Sequence, residues 1–343
     1  MVFDLAGVSF IIKDYSMSLL NQQFAGFGLS DRLCPMKRVL IGLLLATIAS
    51  AILYRVTTGQ NLRTPRLSPA AVKTTSTLVP DYDHIFLIVE ENKAFNDVVG
   101  SKNAPYINQL IANGSLLANY HATAHPSLPN YLELTSGTND GIRSDCSPPG
   151  KSCEASVRNI ADEIEESGRS WKEYAESMPT LCGMVNAGEY ATKHNPFVYY
   201  TDITNNPERC KIHVVPFALL QTDLSGSMAS FAFITPNLCD DMHDCSVSVG
   251  DSWLSREVPE ILKSAACTKQ SCLVVITWDE NDSGSTNVPA IFTGTGVRSG
   301  YVSENDYTHY SLLHTIESAW NLQPLTSNDG SAPIIQDVFS SQK

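Results

Sequence analysis

Three apolar runs rich in β-branched and aromatic residues each stop at side chains that carry carboxylate or amide oxygens. The runs cover residues 84–89, 230–235 and 273–277, and the clusters that follow them are Glu90-Glu91-Asn92, Pro236-Asn237 and Trp278-Asp279-Glu280. Helical stretches separate the runs, and this alternation is typical of buried strands in a parallel sheet. Ligands of such sheets bind beyond the carboxyl ends of the strands. The pattern therefore predicts an α/β fold with a metal-centred site at one sheet edge.

The composition excludes one broad class of function. The 343 residues carry a formal net charge of -13, with 43% apolar and 17% charged residues. Such a chain can bury a large core, but it has few lysines and arginines with which to form the basic face of a nucleic-acid-binding protein. We therefore expect no nucleic-acid partner, and we expect any phosphate to be bound locally by a metal and directed hydrogen-bond donors.

The N-terminal part of the chain has the features of an export signal preceded by extra residues. The apolar segment Val39 to Leu53 follows Lys37-Arg38 and contains Ala49-Ser50-Ala51. This order is typical of a secretory signal, and an uncleaved membrane anchor is the alternative. Met36 stands where a signal peptide would start. The predicted organisation is an extension at 1–35 that is not translated if Met36 is the true start, a signal peptide or signal anchor at 36–54, a flexible linker at 55–81 and a catalytic domain at 82–343.

The cysteines of the predicted domain are even in number and lie as neighbours in sequence. They are Cys146 and Cys153, Cys182 and Cys210, Cys239 and Cys245, and Cys267 and Cys272. Disulfides across short loops suit an exported protein, although eight cysteines allow many pairings and the spacing leaves the connectivity open. No pair has the C-x-x-C spacing of zinc ligands. The cysteines predict a secreted or extracytoplasmic protein, with membrane attachment only through an N-terminal anchor.

Ser127 is predicted to lie at the N-terminus of a helix that ends at Gly137. Ser127 is a favourable N-cap residue, Pro129 suits a first turn, and glycine commonly ends a helix. A helix N-terminus offers free N–H groups and the positive end of the helix dipole to a phosphate. A serine hydroxyl is a poor nucleophile unless a base or a metal activates it, and most serines in this position only cap their helix. The helix alone therefore leaves both interpretations open.

The rest of the domain continues the alternation of strands and helices. Strands are predicted at 116–120 and 288–293, helices at 105–113, 157–167, 253–264 and 310–320, and an irregular insertion with two cysteines at 178–223.

Six segments, in order along the chain, resemble the motifs of one enzyme family. They are Glu91-Asn92-Lys93-Ala94-Phe95, His125-Pro126-Ser127-Leu128-Pro129-Asn130-Tyr131, Lys193-His194-Asn195-Pro196-Phe197, Pro236-Asn237 with Asp241-Met242-His243-Asp244, Trp278-Asp279-Glu280, and Thr308-His309-Tyr310-Ser311-Leu312-Leu313. Together they resemble the phosphoesterase family of the alkaline phosphatase superfamily, which holds bacterial phospholipases C and secreted acid phosphatases. The resemblance extends from about Asp83 to Glu317.

The resemblance implies an alkaline-phosphatase-like three-layer sandwich, with a mostly parallel central sheet and helices on both faces. It also implies an exported phosphomonoesterase that contains at least one divalent metal ion and forms a phosphoserine at Ser127. On the matching positions the metal ligands are predicted to be Glu91, Asn92, Asp279, Glu280 and Asp241, with Glu280 standing where relatives have Asp or His. Oxygen ligands of this kind favour calcium, magnesium or manganese over zinc.

The remaining predicted roles belong mainly to histidines. His243 and His309 are predicted to contact phosphate, bind a second metal or act as the general acid, and His194 is predicted to contact phosphate or the leaving group. Substrate binding is predicted for Asn92, His125, Asn130, Lys193 and His194. The predicted substrate is a small phosphorylated molecule.

Two other functions remain open from the sequence. A phospholipase C-type phosphodiesterase would need an exposed apolar rim or a lipid-binding domain, and the sequence reveals neither. A non-catalytic module on the same fold would bind a phosphorylated ligand or wall polymer, but the intact Ser127, Asn92 and Asp279 count against it. All of these metal-site assignments require Ser127 Oγ to lie within about 8 Å of the carboxylate of Glu91 or Asp279, since metal–oxygen bonds are only about 2 to 2.6 Å long.

Overall fold

The computed structural model of this chain describes residues 2–5, 8–11, 79–282 and 285–340. The chain divides into two units, Met1–Lys73 and Thr74–Lys343. In the first unit, strand β1 (Val2–Leu5) pairs antiparallel with β2 (Val8–Ile11), inside the region predicted as an N-terminal extension. The predicted signal segment at 36–54 and the linker as far as residue 78 lie outside the described residues. No helix within the described ranges is long and apolar enough to cross a membrane.

The described part of the second unit contains one eight-stranded sheet with the order β10-β4-β9-β8-β3-β7-β5-β6. Only β9 runs antiparallel to its neighbours. The strands are β3 (His84–Glu90), β4 (Ser115–His121), β5 (Trp171–Ala175), β6 (Val214–Pro216), β7 (Phe231–Thr235), β8 (Cys272–Trp278), β9 (Ala290–Gly294) and β10 (Tyr301–Thr308). The prediction of an α/β fold with a mostly parallel central sheet is confirmed.

Helices connect the strands and pack beside the sheet. The α-helices are Phe95–Val98, Pro105–Asn113, Ser127–Ser136, Ile160–Glu166, Thr201–Thr204, Pro207–His213, Leu220–Ser225, Val247–Lys263, Ala265–Thr268, His309–Ala319 and Ser327–Ser331, and 3₁₀-helices cover Thr192–His194, Pro196–Val198 and Phe217–Leu219. The Ser127–Ser136 helix packs against His309–Ala319, and Val247–Lys263 packs against Pro105–Asn113. The Pro105–Asn113 helix also packs against β4 and β9, and the His309–Ala319 helix packs against β10.

The three apolar runs form β3, β7 and β8, which are neighbours at the centre of the sheet. Every residue of these three strands is buried. Their valine, isoleucine and phenylalanine side chains pack well on a pleated surface, and each fully buried one stabilises the fold by roughly 1.5 to 3 kcal/mol. Because β3 lies between β7 and β8 and all three run in the same direction, the polar residues that follow them meet at one edge. The sheet core thus positions the site.

The sequence prediction missed three strands for identifiable reasons. Strand β5 carries Lys172 and Glu173 in its short span, and β6 has only three residues. Strand β10 is an edge strand, with mostly polar and exposed residues between its buried Ser303 and Tyr307. Pairing with a neighbour, rather than a continuous apolar run, makes these segments strands.

Disulfides join sequence neighbours throughout the described domain. The bonds are Cys146–Cys153, Cys182–Cys210, Cys239–Cys245 and Cys267–Cys272. Of the pairings that the sequence left open, the one that joins neighbours is therefore the one that forms. The Cys239–Cys245 bond closes the loop after β7, which carries Asp241 and His243, so one disulfide constrains a segment of the site directly.

Glu317, on the His309–Ala319 helix, makes the stability of the fold dependent on pH. Its side chain is fully buried, and burial, together with the neighbouring carboxyls of Asp329 and Glu163, raises its pKa to about 9. A carboxyl whose pKa is higher in the folded chain than in the unfolded chain stabilises the fold below its ordinary pKa. This contribution is lost as the pH rises through the folded value.

We expect the Glu317→Gln variant to be less sensitive to alkaline pH than the wild type. The wild type should lose free energy of unfolding on the order of 1 kcal/mol per pH unit between about pH 5 and pH 9 through this group. The variant should not show this loss, because glutamine mimics the protonated acid. Denaturant unfolding across this range, with the exposed Glu260→Gln as the control, measures the difference. Parallel stability profiles for the wild type and Glu317→Gln would contradict the prediction.

Candidate active site

The candidate active site lies where β3, β7 and β8 end. Glu91 directly follows β3, Asp279 directly follows β8, and Asp241 lies in the loop after β7. Backbone hydrogen bonds connect the three segments, because the Glu91 N–H donates to the Asp241 carbonyl at 2.8 Å and the Asp279 N–H donates to the Glu90 carbonyl at 3.0 Å. The three carboxylates are buried, with exposures of 1% or less. The edge predicted from the sequence thus brings these acidic side chains together.

Ser127 is the first residue of its helix rather than the N-cap. The N-cap is Pro126, and the free N–H of Leu128 is capped instead by Asp145 Oδ1 at 3.0 Å. The expectation that Ser127 caps the helix is therefore wrong, and its hydroxyl is available to the site. Ser127 Oγ donates to Glu91 Oε2 at 3.1 Å and lies 3.3 Å from Glu280 Oε1. This satisfies the distance that the metal-site assignments require.

Glu91 lies between the nucleophile candidate and two aromatic side chains. Tyr131 donates its hydroxyl to Glu91 Oε1 at 2.8 Å, and His194 Nε2 lies 3.1 Å from the same oxygen. The rings of Tyr131 and His194 stack with centroids 5.6 Å apart. Because the carboxylate and both rings are buried, the orientation of Glu91 is set by the protein interior and not by solvent.

His194 also connects Glu91 to Asp241. Its Nδ1 lies 3.1 Å from Asp241 Oδ2, while Asp241 Oδ1 accepts the His243 N–H at 2.7 Å. His194 Nε2 and Asp241 Oδ2 make these close contacts without forming an aligned hydrogen bond. Glu91, His194 and His243 each offer one ligand atom within 4.8 Å of the others. This donor set, of one carboxylate and two imidazoles, can hold a metal ion.

The electrostatics of the site favour a bound cation. Burial first, and then the charges of Asp279 and Asp241, raise the pKa of Glu91 well above its usual value. Burial and the adjacent Glu280 raise the pKa of Asp279 to about 8. Burial lowers the pKa of His194, which therefore stays neutral and keeps a lone pair for a metal. Carboxylates held this close in the interior favour either protonation or a bound cation.

The donor atoms also fit a cation because several of them lack a hydrogen-bond partner. Among the described residues, the buried atoms without a partner include His194 Nε2, Asp241 Oδ2 and Asp279 Oδ2. Leaving a buried polar atom unsatisfied costs about 1 to 3 kcal/mol, and more for a charged group. A divalent ion would satisfy these atoms together.

Asn92, another predicted metal ligand, follows Glu91 at the edge of the site. It adopts a left-handed backbone conformation with φ 51°. Its N–H lies 3.4 Å from Asp279 Oδ1. The next residue, Lys93, donates to the Met242 carbonyl at 2.7 Å, which holds this turn against the loop that carries Asp241 and His243.

Glu280 lies beside Ser127, but both of its carboxylate oxygens already have partners. Oε1 faces Ser127 Oγ, and Oε2 accepts His125 Nδ1–H at 2.6 Å and lies 3.4 Å from Asn130 Nδ2. Asn130 also binds the loop before the helix, since its Oδ1 accepts the Ala124 N–H at 2.8 Å and its Nδ2 donates to the Ala124 carbonyl at 2.9 Å. Asn130 therefore positions the loop before the helix, and its predicted contact with substrate stays a prediction.

Lys193 lies on the opposite side of the cluster. Its ammonium donates to Asp145 Oδ2 and to His243 Nε2, both at 3.1 Å. Burial lowers its pKa, but the charges of Asp145 and Glu91 outweigh this and leave the pKa raised, so Lys193 stays cationic. A fixed cation here can attract a phosphate and balance part of the negative charge.

His309 is held by hydrogen bonds at both of its ring nitrogens. Its Nδ1 accepts from the Tyr120 hydroxyl at 2.9 Å, and its Nε2–H donates to the Asp279 carbonyl at 2.6 Å. The ring is fully buried, and burial lowers its pKa to about 4. With both ring nitrogens engaged, His309 positions the backbone of Asp279. Its predicted roles in phosphate contact, metal binding or acid catalysis stay predictions.

Two residues of the site were not predicted as functional. Tyr131 lies four positions after Ser127, on the same face of the helix, so the i, i+4 spacing carried a signal for it. Asp145 lies in the loop before the Cys146–Cys153 disulfide, and no sequence feature places it against the helix N-terminus. Its double contact with Leu128 and Lys193 appears only in the folded chain.

The fold and this edge of the sheet place the chain among α/β proteins of the alkaline phosphatase type. A crystal structure of a protein in the alkaline phosphatase superfamily from Vibrio parahaemolyticus superposes with a TM-score of 0.53 at 13% identity, covering 74% of this chain and 70% of that one. Murine ectonucleotide pyrophosphatase/phosphodiesterase 5 superposes with a TM-score of 0.50 at 10% identity, over 75% of this chain and 100% of that one. At these identities the likeness establishes the fold alone.

Sequence comparison defines the family. The model of the Phosphoesterase family matches residues 101–323, and the chain belongs to this family. A phosphatidylinositol-3-phosphatase of Mycobacterium tuberculosis is 34% identical over 76% of this chain and 84% of its own length. A phosphate-repressible acid phosphatase of Penicillium chrysogenum is 30% identical over 75% of this chain. The match spans 63% of that fungal protein, which is less than two thirds of it. The chain is thus a phosphoric ester hydrolase.

Proposed function

We propose that this protein is an exported, metal-dependent phosphomonoesterase that forms a phosphoserine at Ser127. The observation that carries the proposal is the position of the Ser127 hydroxyl, 3.1 Å from a buried carboxylate among unpartnered carboxylate and imidazole atoms. A serine that only caps its helix would not need to face such a cluster. The phosphatase relatives support hydrolysis of phosphate esters, and the four disulfides support a location outside the cytoplasm.

The metal in this proposal is held by Glu91, His194 and His243, with Asp241 and Asp279 as the neighbouring carboxylates. When bound, a divalent ion lowers the pKa of a coordinated hydroxyl and stabilises negative charge on a phosphate oxygen. Two imidazoles in the donor set shift the preference from the oxygen-seeking calcium and magnesium towards manganese or zinc. This differs from the preference that oxygen ligands alone predicted.

The remaining catalytic roles in this proposal belong to side chains of the protein. Ser127 Oγ attacks phosphorus and the bond from phosphorus to the alcohol oxygen breaks. The Oγ proton passes to Glu280 Oε1, 3.3 Å away, and from Glu280 to the departing oxygen, which leaves as the neutral alcohol. His125, whose side chain is 73% exposed, holds Glu280 and exchanges protons with water. Lys193 contributes a fixed positive charge near the transferred phosphate. Water then attacks the phosphoserine, releases inorganic phosphate and restores the serine.

A membrane lipid phosphate is the second candidate substrate, because the structure contains exposed apolar side chains that the sequence did not reveal. Leu181, Met184 and Val185 are 38 to 65% exposed on the segment before Lys193, and Ile212 is 59% exposed on the helix that the Cys182–Cys210 disulfide ties to it. Exposed apolar side chains of this kind can insert into a lipid surface. The phosphatidylinositol-3-phosphatase relative is consistent with such a substrate.

Acid-quench trapping tests the proposed function. The metal-loaded protein is mixed with ³²P-labelled p-nitrophenyl phosphate and quenched in acid, and we expect label on the peptide that contains Ser127. The same preparation is then given phosphatidylinositol 3-phosphate in vesicles and the bis(p-nitrophenyl) diester. Faster turnover of the vesicle lipid than of the soluble monoester favours the lipid substrate, and faster turnover of the diester favours the phospholipase C-type alternative. Turnover without any labelled peptide would refute the phosphoserine intermediate.

A further inference from the structure

A cavity of about 220 Å³ opens beside Glu280, and its described lining does not include Glu91, His194 or His243. The lining residues are Ala122, Ala124, His125, Glu280, Asn281, Asp282, Ser285 and Thr286. The pair of Glu280 and His125 forms one wall, and the second carboxylate oxygen of Glu280 lies 3.3 Å from Ser127 Oγ. His125 is largely exposed, so the cavity is open to solvent. A molecule in this cavity would therefore lie within reach of the nucleophile.

Another side of Ser127 is occupied by buried side chains. Glu91, Tyr131 and His194 are all buried there and contact one another. Phosphate oxygens that face this cluster meet its metal ligands and Lys193. The alcohol portion of a phosphate ester attacked by Ser127 would then lie on the side of Glu280 and the cavity.

The lining of the cavity indicates which alcohol fits. Glu280 and Asp282 are acidic, Ser285 and Thr286 carry hydroxyls, and no lysine or arginine is among the lining residues that the structure describes. Such a wall can exchange hydrogen bonds with hydroxyl groups, whereas a second negative charge on the alcohol would meet repulsion. The volume equals roughly seven water molecules and is below the range of about 300 to 1,000 Å³ typical of sites for drug-sized ligands.

We propose that this cavity is the leaving-group subsite, and that it accepts a small neutral polyol and discriminates against alcohols that carry a further negative charge. The proposal rests on the proposed attack by Ser127 and specifies the substrate class of the same site. Asp282 is its most direct probe, because its side chain is exposed on the cavity wall and lies outside the hydrogen-bond network of Ser127 and Glu280.

Two esters that differ at one carbon test the charge preference. Glycerol 3-phosphate carries a CH₂OH group where 3-phosphoglycerate carries a carboxylate. We expect the wild type to favour glycerol 3-phosphate in kcat/KM by at least about threefold. In Asp282→Lys we expect the ratio of the two kcat/KM values to fall by about threefold to tenfold, which can reverse the preference. A change of this size is on the order of a charge interaction near the surface. The control is Glu260→Lys, which makes the same change in net charge on the Val247–Lys263 helix, near the end that leads towards the start of β8.

Each other outcome counts against a specific part of the proposal. If p-nitrophenyl phosphate is hydrolysed but the wild type does not distinguish the two glycerol esters, the subsite is wrong while the phosphatase function stands. Equal changes in the ratio for Asp282→Lys and Glu260→Lys would show a general charge effect and also refute the subsite. If the metal-loaded wild type hydrolyses no ester, the proposed function fails and the subsite fails with it.

Discussion

Replacing Ser127 with alanine is expected to lower kcat/KM for p-nitrophenyl phosphate by at least about a thousandfold. The substitution removes the atom that attacks phosphorus, and residues that act as a unit in catalysis lose most of their effect together. The fold should survive, because Ser127 does not cap its helix and Asp145 satisfies the first free N–H. We expect the free energy of unfolding to change by no more than about 1 kcal/mol.

The matched control is Ser136→Ala on the same helix. Ser136 is also buried, and its hydroxyl donates to the Leu132 carbonyl at 2.9 Å, away from the acidic cluster. We expect this variant to keep kcat/KM within a few-fold of the wild type. If Ser127→Ala retains a tenth or more of the activity, or if both variants lose it equally, Ser127 is not the nucleophile.

Removing the metal is expected to abolish turnover and to lower Tm. Without a divalent cation, Glu91, Asp241 and Asp279 share a buried space in which Lys193 balances only part of their negative charge. A ligand that binds only the folded state stabilises it by about 2.7 kcal/mol at a concentration one hundred times its Kd, and this contribution disappears on chelation. Elemental analysis of the purified protein, followed by EDTA treatment and addition of manganese, zinc, magnesium or calcium, measures both effects.

The size of the Tm loss should depend on pH. The pKa of Asp279 is about 8 without a metal, so this carboxyl is mostly protonated at pH 6 and mostly ionised at pH 9. Because the raised pKa stabilises the metal-free fold only at lower pH, chelation should lower Tm more at pH 9 than at pH 6. In Glu91→Gln, which lacks a central ligand, EDTA should have little effect on Tm. Full activity in protein shown to be free of metal would contradict the proposed mechanism.

The parts of the fold that follow from local sequence were predictable. The runs in β3, β7 and β8 are long, apolar and β-branched, so burial on both faces is the only arrangement that removes their side chains from water. Gly137 ends its helix in a left-handed conformation, with φ 71°, as a residue without Cβ can. Strands β5, β6 and β10 escaped prediction because their pairing partners, and not their own composition, define them.

For the site, the sequence indicated which residues lie there, but it indicated the contacts of each residue less well. Glu91 and Asp279 were expected near one another because parallel strands end at one edge, and Ser127 was expected beside them because its segment resembles a motif of the family. The assignments for His309, Glu280 and Asn130 depended on which partner each side chain finds. His309 meets Tyr120 and the Asp279 carbonyl, Glu280 meets His125, and Asn130 meets the loop backbone, none of which follows from spacing along the chain.

The sequence by itself determined the α/β class and the edge of the sheet at which the acidic residues gather, whereas the place of Ser127 in that group followed from the resemblance to the family. The class and the edge depend on side-chain patterns within single segments, where the apolar residues leave one favourable arrangement. Only the tertiary structure decided that the Ser127 hydroxyl faces Glu91, that His194 joins the carboxylates, and that a cavity opens beside Glu280. Hydrogen bonds and cavities depend on distances of a few ångströms between segments far apart in the chain, and packing of the whole core sets those distances.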